Sequence, residues 1–444
     1  MIYKKKVLKI NYWLAPYKNT PIKSNLTIPG SKSITNRILI LASLAKICSL
    51  SRIFGALQSR DTALMIDAMR TLGIKIDISR YDKTELTLNK QFESVHTEIY
   101  VNCGLAGTVM RFLPPLVAAL SNQYSEIFFY GDKQAISRPI TPLLDGLRCI
   151  GVDIIGEKLP FLIKGSNKII GGIIKIDSSL SSQFISGLLL TGSSFRNGLT
   201  IILNNNSIPS HSYISMTTTM LSDVGIDVDS TNPNCWIIQP STPIASKIWL
   251  VEPDIPNSLP FLAAAIVTGG TVRVNKWFTN VNQPISGIFQ LLNAVNASIK
   301  YSNSYLEIKA KRKYKGFDID LQGYGEIAPI AAAIAALAIY GTTSRIRGVA
   351  HLRGHETNRL AALTFNINNL GGNCMETADG LIINSKHLHS GKWYSYFDHR
   401  IATAGVVIGL RIPKVSIKNI ETIGKTIPDF KFIWEKFLIG NILY

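Results

Sequence analysis

The feature that most constrains this chain is an internal repeat. A helix-like amphipathic run followed by glycine and a short alternating stretch occurs as Met65–Leu72 before Gly73-Ile-Lys-Ile-Asp-Ile and as Leu143–Ile150 before Gly151-Val-Asp-Ile. It returns as Met216–Val224 before Gly225-Ile-Asp-Val-Asp, as Ile288–Ala294 before Val295-Asn-Ala-Ser-Ile, and as Leu360–Leu370 before Gly371-Gly-Asn-Cys. Positions 73, 151, 225, 295 and 371 lie 78, 74, 70 and 76 residues apart, and a 444-residue chain leaves room for a sixth unit. A left-handed residue that closes a helix costs least without a β-carbon, which accounts for the glycines. The alternation that follows suits a strand with one buried face. Each unit therefore mixes helix and strand, which predicts an α/β class built by repetition. The simplest grouping is two domains of three units.

Composition narrows the function classes. With 46% apolar and only 17% charged residues, the chain is no disordered polyelectrolyte. The 47 Lys and Arg against 29 Asp and Glu give a net charge of +18, which suits anionic partners. The dense basic runs are Lys4–Lys6 and Lys309–Lys315, and neither is interleaved with stacking aromatics or set in a recognisable nucleic-acid module, so the charge by itself points to anionic partners of any size. Cys48, Cys103, Cys149, Cys235 and Cys374 are scattered and form no C-x-x-C pair, so neither a disulfide framework nor a cysteine zinc site is indicated. The segment after Lys9 is too short and polar for a signal-peptide core. Two 18-residue stretches without charge, Ile255–Val272 and Ile327–Ser344, are interrupted by Pro or Gly, or are mostly alanine. They read as buried core helices rather than membrane spans. A cytoplasmic protein with no membrane attachment is expected.

The chemistry-bearing segments sit at helix entrances. Pro29-Gly30-Ser31-Lys32-Ser33-Ile34-Thr35-Asn36-Arg37 leads into the apolar run Ile38–Ala45, with Ser33 and Arg37 one turn apart. Backbone N–H groups and the helix dipole favour a phosphate or carboxylate at such a point, although an ordinary cap with solvated cations fits the segment equally well. Similar entrances are Gly104-Leu-Ala-Gly107-Thr-Val-Met-Arg111 and Ser181-Ser182-Gln183-Phe184, while Ser137-Arg138-Pro139-Ile140 sets an arginine beside a rigid proline. The C-terminal half adds His355-Glu356-Thr357-Asn358-Arg359, Asp398-His399-Arg400 and Lys425-Thr426-Ile427-Pro428-Asp429-Phe430. Arginine matches carboxylate and phosphate with paired hydrogen bonds, and lysine adds a point charge.

In this order, P-G-S-K-S-x-x-N-R, A-G-T-x-M-R, S-R-P-I, S-S-Q-F, E-T-x-R, D-H-R and K-T-x-P-D-F resemble the 5-enolpyruvylshikimate-3-phosphate synthase family of enolpyruvyl transferases, from Pro29 to Phe430. The resemblance implies a two-domain inside-out α/β barrel, each domain of three βαβαββ units. It places residues 30–251 in an N-terminal lobe and residues 1–29 with 252–444 in a C-terminal lobe. It also implies an enzyme without cofactor or metal, monomeric, that joins phosphoenolpyruvate to shikimate 3-phosphate. Lys32, Ser33 and Arg37 then resemble the first substrate clamp. Ser181, Ser182, Gln183, Ser210 and Tyr213 resemble the shikimate-3-phosphate side, with His351 beside it; Gly107, Arg138, Arg359, Arg400 and Lys425 resemble the phosphoenolpyruvate side. Asp61 matches an acidic position near the cleft. A UDP-sugar enolpyruvyl transferase shares the architecture but lacks this Ser-Ser-Gln and Lys-Thr-x-Pro-Asp combination.

Two departures touch the chemistry. Glu326 stands where the family has an aspartate, and His355 and Asn358 replace its lysine and aspartate around Glu-Thr. Glu326, His355 and Glu356 are the candidate catalytic groups, since a histidine near its ordinary pKa of 6.5 could carry a proton. His351 and His355 are also spaced like a helical zinc pair, but Gly354 disfavours helix between them and no third ligand is evident.

Overall fold

The structure is a computed structural model that describes residues 12–45, 49–89, 98–120, 125–166, 169–204, 211–241, 244–277, 283 and 285–440. Helices form where the repeat places them, at Arg60–Thr71, Thr141–Cys149, Ser212–Ser222, Ser286–Ala294 and Arg359–Asn369, and each runs into a short strand. Gly73, Gly151, Gly225 and Gly371 take φ of +77°, +91°, +78° and +84°. In the fourth unit the left-handed residue is Asn296, at +54°, one position after Val295. Asparagine is the usual substitute for glycine there because its short side chain tolerates that backbone.

Among the described residues the strands make six small sheets, five of four strands and one of three. The second unit shows the plan. Glu98–Asn102 crosses through the helix Gly107–Ala119 to its parallel neighbour Glu126–Tyr130; after Thr141–Cys149, the hairpin of Asp153–Ile155 and Phe161–Lys164 closes the sheet antiparallel. This is a βαβαββ unit.

The first helix of each unit lies inside and the sheets lie outside. Leu259–Thr268, Ala328–Ala336 and His399–Gly409 are buried along their whole length. A helix of 10 residues spans roughly 15 Å, half a bilayer core. Among the described residues no helix is long and apolar enough to cross a membrane.

Among the described residues the buried apolar side chains form two cores, one from Ile34 to Trp249 and one that joins Ala15–Ile28 to Ile255–Phe437. The chain passes between them twice. Lys23–Thr27 pairs with Thr271–Asn275 in one lobe, while the helix that follows it, Lys32–Ser43, packs in the other. Ile248–Leu250 pairs with Leu50–Phe54 and then leads back across to Leu259–Thr268. The crossings run side by side: Ser31 N–H donates to Glu252 O at 2.7 Å and Asp254 N–H to Pro29 O at 2.8 Å. Only glycine fits at position 30, because a β-carbon would lie 1.9 Å from Gly55 O. The sixth sheet is completed from the start of the chain, Tyr12–Leu14 lying antiparallel to Val415–Lys418.

Candidate active site

The inside-out packing aims the entrances of all six inner helices at one cleft between the lobes. Ser31 and Lys32, Gly107, and Ser182 and Gln183 arrive from the first lobe; Asp254 and Pro256, Glu326, and His399 and Arg400 arrive from the second. Helix entrances leave N–H groups unpaired and carry positive potential, so six pointing inward make a strong anion site.

The first-lobe wall is rich in arginine. Arg111 donates to Gln183 Oε1 at 2.7 Å and to Pro139 O at 3.0 and 3.3 Å. Arg37 is 1% exposed and donates to Thr217 Oγ1, Ser33 O, Ser186 Oγ and Tyr213 O at 2.8–3.2 Å. Burial lowers Arg37 to about 10 and pulls Arg111 well below the usual guanidinium value, with Arg138 adding to the effect on Arg111. Arg138 donates to Leu105 O at 2.9 Å, and its buried Nε has no hydrogen-bond partner. A β-carbon on Gly107 would sit 2.8 and 2.9 Å from the Arg138 nitrogens, so glycine there makes room for the guanidinium. Lys32 is the exception to these neutral acceptors, with its ammonium 3.0 Å from Asp61. Burial alone would lower its pKa, but Asp61 and Glu356 raise it.

The second-lobe wall is an ion-pair network. Asp398 is fully buried; it accepts from Arg359 at 2.8 and 3.3 Å and from the Arg400 N–H at 2.8 Å, capping the helix His399–Gly409. Glu326 Oε2 accepts from Arg400 Nε at 3.0 Å and Arg359 Nη1 at 3.3 Å, and its Oε1 lies 3.9 Å from His355 Nδ1. Burial would raise the Glu326 carboxyl, yet Arg359 and Arg400 hold it far below the usual range. Glu356 Oε2 meets Lys425 Nζ at 3.1 Å and His399 Nδ1 at 3.4 Å. Burial would raise Glu356 too, but His399 and Lys425 keep it well below 4.5. Burial, reinforced by Arg359, pushes His355 well below 6.5, so it is neutral at pH 7.

Residues 16–434 match the family model described as EPSP synthase (3-phosphoshikimate 1-carboxyvinyltransferase). The 3-phosphoshikimate 1-carboxyvinyltransferase of Mycobacterium ulcerans (strain Agy99) is 47% identical over 434 residues, 97% of this chain and 99% of that one. The chain belongs to the EPSP synthase family. Its fold is likewise that of solved members. An EPSP synthase from Acinetobacter baumannii superposes with a TM-score of 0.76 at 24% identity, covering 97% of this chain and 98% of the other. The enolpyruvyl transferase NikO from Streptomyces tendae gives 0.73 at 14% identity over 97% of each chain.

The residues picked out by EPSP synthase motifs converge. Lys32, Ser33, Arg37, Gly107, Arg138, Ser181, Ser182, Gln183, Tyr213, Glu326, His351, His355, Glu356, Arg359 and Arg400 all line the cleft. Lys425 stands behind Glu356. Ser210 lies outside the described residues. His351 presents a buried Nε2 without a hydrogen-bond partner, and burial lowers its pKa. The two histidines lie on and just after the 3₁₀ turn Ala350–Gly354, with ring centroids 5.6 Å apart, not on one helix. Among the described residues the set closest to a metal centre is Glu356, Asp398 and His399, whose ligand atoms lie within 4.8 Å of one another. Lys425 and Arg359 already neutralise those carboxylates, so it is an ion-pair network. Arg111, Asp254, Gln283 and His399 also line the cleft without having been assigned roles. Arg111 and His399 stood inside recognised motifs; Asp254 and Gln283 carried no local signal.

Proposed function

We propose that this chain transfers the enolpyruvyl group of phosphoenolpyruvate to the 5-hydroxyl of shikimate 3-phosphate with release of phosphate, the 3-phosphoshikimate 1-carboxyvinyltransferase step toward chorismate and aromatic amino acids. One observation carries the reading beyond family membership: six helix entrances and six cations, Lys32, Arg37, Arg111, Arg138, Arg359 and Arg400, face one cleft that also holds Glu326 and Glu356. Two small polyanions need such charge, and the reaction needs titratable carboxylates beside them.

The substrate hydroxyl loses a proton as its oxygen bonds the enol carbon, while the methylene gains one. The tetrahedral adduct then expels phosphate and a proton leaves the methyl carbon, regenerating the enol ether. Ser181, Ser182, Gln183, Ser210 and Tyr213, with His351 beside them, hold shikimate 3-phosphate. Gly107, Arg138, Arg359, Arg400 and Lys425 hold phosphoenolpyruvate; Lys32, Ser33 and Arg37 join the two sites. Glu326 and Glu356 exchange protons with the reacting atoms, a contribution on the order of 10²–10⁴-fold. His355, being neutral, offers a hydrogen bond or a proton relay rather than a fixed charge.

The lobes divide near Pro29–Gly30 and Val251–Pro253, where the two crossings lie side by side. A monomer working in the cytoplasm, with no nucleic-acid or membrane partner, completes the proposal. The deciding experiment measures phosphate release from shikimate 3-phosphate plus phosphoenolpyruvate, with a UDP-sugar acceptor as the swap. No release with shikimate 3-phosphate sinks the reading, and release only with the UDP-sugar reassigns the acceptor.

A further inference from the structure

The two guanidinium groups assigned above to phosphoenolpyruvate already hold a carboxylate. A single oxygen, Glu326 Oε2, accepts from Arg400 Nε at 3.0 Å and from Arg359 Nη1 at 3.3 Å. Arg359 Nε and Nη2 are occupied from behind by Asp398, and Arg400 Nη1 by Pro256 O at 3.2 Å. Arg359 Nη1 and Arg400 Nε, the donors that Glu326 takes, are thus among those an entering carboxylate would compete for.

Glu326 is suited to leave. Arg359 and Arg400 have side chains 2% and 6% exposed and are pinned by buried partners, whereas Glu326 is 24% exposed on the turn Gly325–Ile327 that opens an inner helix. An aspartate on the same backbone would end about 1.5 Å short of these contacts.

We propose that Glu326 is a resident counter-ion of the Arg359–Arg400 pair, displaced by the carboxylate of the incoming substrate and so delivered to the reacting atoms only when that substrate is present. The inference rests on the assignment of these arginines to phosphoenolpyruvate. The exchange swaps one carboxylate for another, so the arginines stay neutralised throughout. It also changes Glu326 itself: gripped by two guanidinium groups it is a very weak base, and release restores its basicity.

The test is calorimetric titration of phosphoenolpyruvate alone into wild type, Glu326→Gln and Glu326→Asp, with thermal unfolding as the check on folding. Removing a competing charge-assisted pair gives tighter binding, on the order of tenfold for Glu326→Gln. Glu326→Asp keeps the charge but loses the reach, so it too binds more tightly than wild type. A purely structural role for Glu326 would weaken binding in both. The proposal is overturned if Glu326→Asp binds no more tightly than wild type. Turnover is not read in this experiment. A wild type that releases no phosphate while both variants gain affinity removes the enzyme reading and leaves the displacement standing.

Discussion

The two walls of the cleft hold their cations in opposite ways. On the first lobe, Arg37, Arg111 and Arg138 are fixed by hydroxyls, an amide and carbonyls, and burial lowers the first two without a carboxylate to offset it. On the second lobe, Arg359, Arg400 and Lys425 each touch a carboxylate, and Asp398 and Glu326 raise Arg359 despite its burial. Apart from Lys32, which is paired with Asp61, the first wall is thus a permanent electropositive surface, kept in shape by neutral acceptors that cannot compete with a phosphate. The second is balanced before substrate arrives and must rearrange its ion pairs to receive one. A bisubstrate site gains from this asymmetry, since an unpaired wall captures an anion and a paired wall carries the titratable groups.

The strongest way to break the comparison is to remove the carboxylate on which the second wall depends. Asp398→Asn leaves the buried Arg359 without its main counter-ion and weakens the cap that orients Arg400. A loss of ~3–5 kcal/mol in urea unfolding, together with collapse of kcat/KM, is expected. A change below about 1 kcal/mol would mean that Asp398 is not the anchor of that wall.

Glu326→Gln sharpens the comparison by making the second wall resemble the first. Shikimate 3-phosphate binding is expected to survive while kcat falls ~10²–10⁴-fold, because the cations remain and the proton acceptor is gone. Near-normal kcat would take Glu326 out of the chemistry.

A gentler perturbation crowds the first wall. The β-carbon of Gly107→Ala would meet both terminal nitrogens of Arg138 inside 3.0 Å and Arg111 Nη1 at 3.1 Å. The guanidinium must shift, so KM for phosphoenolpyruvate is expected to rise roughly tenfold with kcat less affected. Unchanged steady-state constants would show that Arg138 has slack.

The difference between the walls also explains what could be read from sequence. Helix entrances such as Pro29–Arg37 and Asp398–Arg400 are local, so their motifs announced both the elements and their function. The repeat was equally legible, and Asn296 hid only because asparagine does the work of glycine there. The pairing of Lys23–Thr27 with Thr271–Asn275 and of Ile248–Leu250 with Leu50–Phe54 was not legible in the residues themselves, since each partner lies about 200 or more residues away and no local pattern records the choice; only the family resemblance assigned these strands to their lobes. Nor was the pairing of Glu326 with two arginines 33 and 74 residues away. Motifs identified the charges, while only the fold showed which were already neutralised.

The smallest effect concerns pH, and it too separates the walls. His351, His355 and His399 all sit on the second lobe with pKa lowered by burial, whereas the first wall presents Arg37, which burial lowers only to about 10. A histidine whose folded pKa lies below its unfolded value binds more protons when unfolded. Its stabilising contribution is therefore present above about pH 6.5 and is lost as pH falls toward the folded value, at up to ~1.4 kcal/mol per pH unit for each proton. Glu326 and Glu356, also depressed, add a second loss below about pH 4.5, while Asp254, raised by burial, works in the opposite direction. Urea unfolding between pH 7 and 5 should show stability declining with acidification, with a shallower slope in His355→Asn and the wild-type slope in Gly107→Ala. Equal slopes in wild type and His355→Asn would mean that His355 is protonated as readily folded as unfolded, and the second wall would lose its claim to be the part of the site that responds to protons.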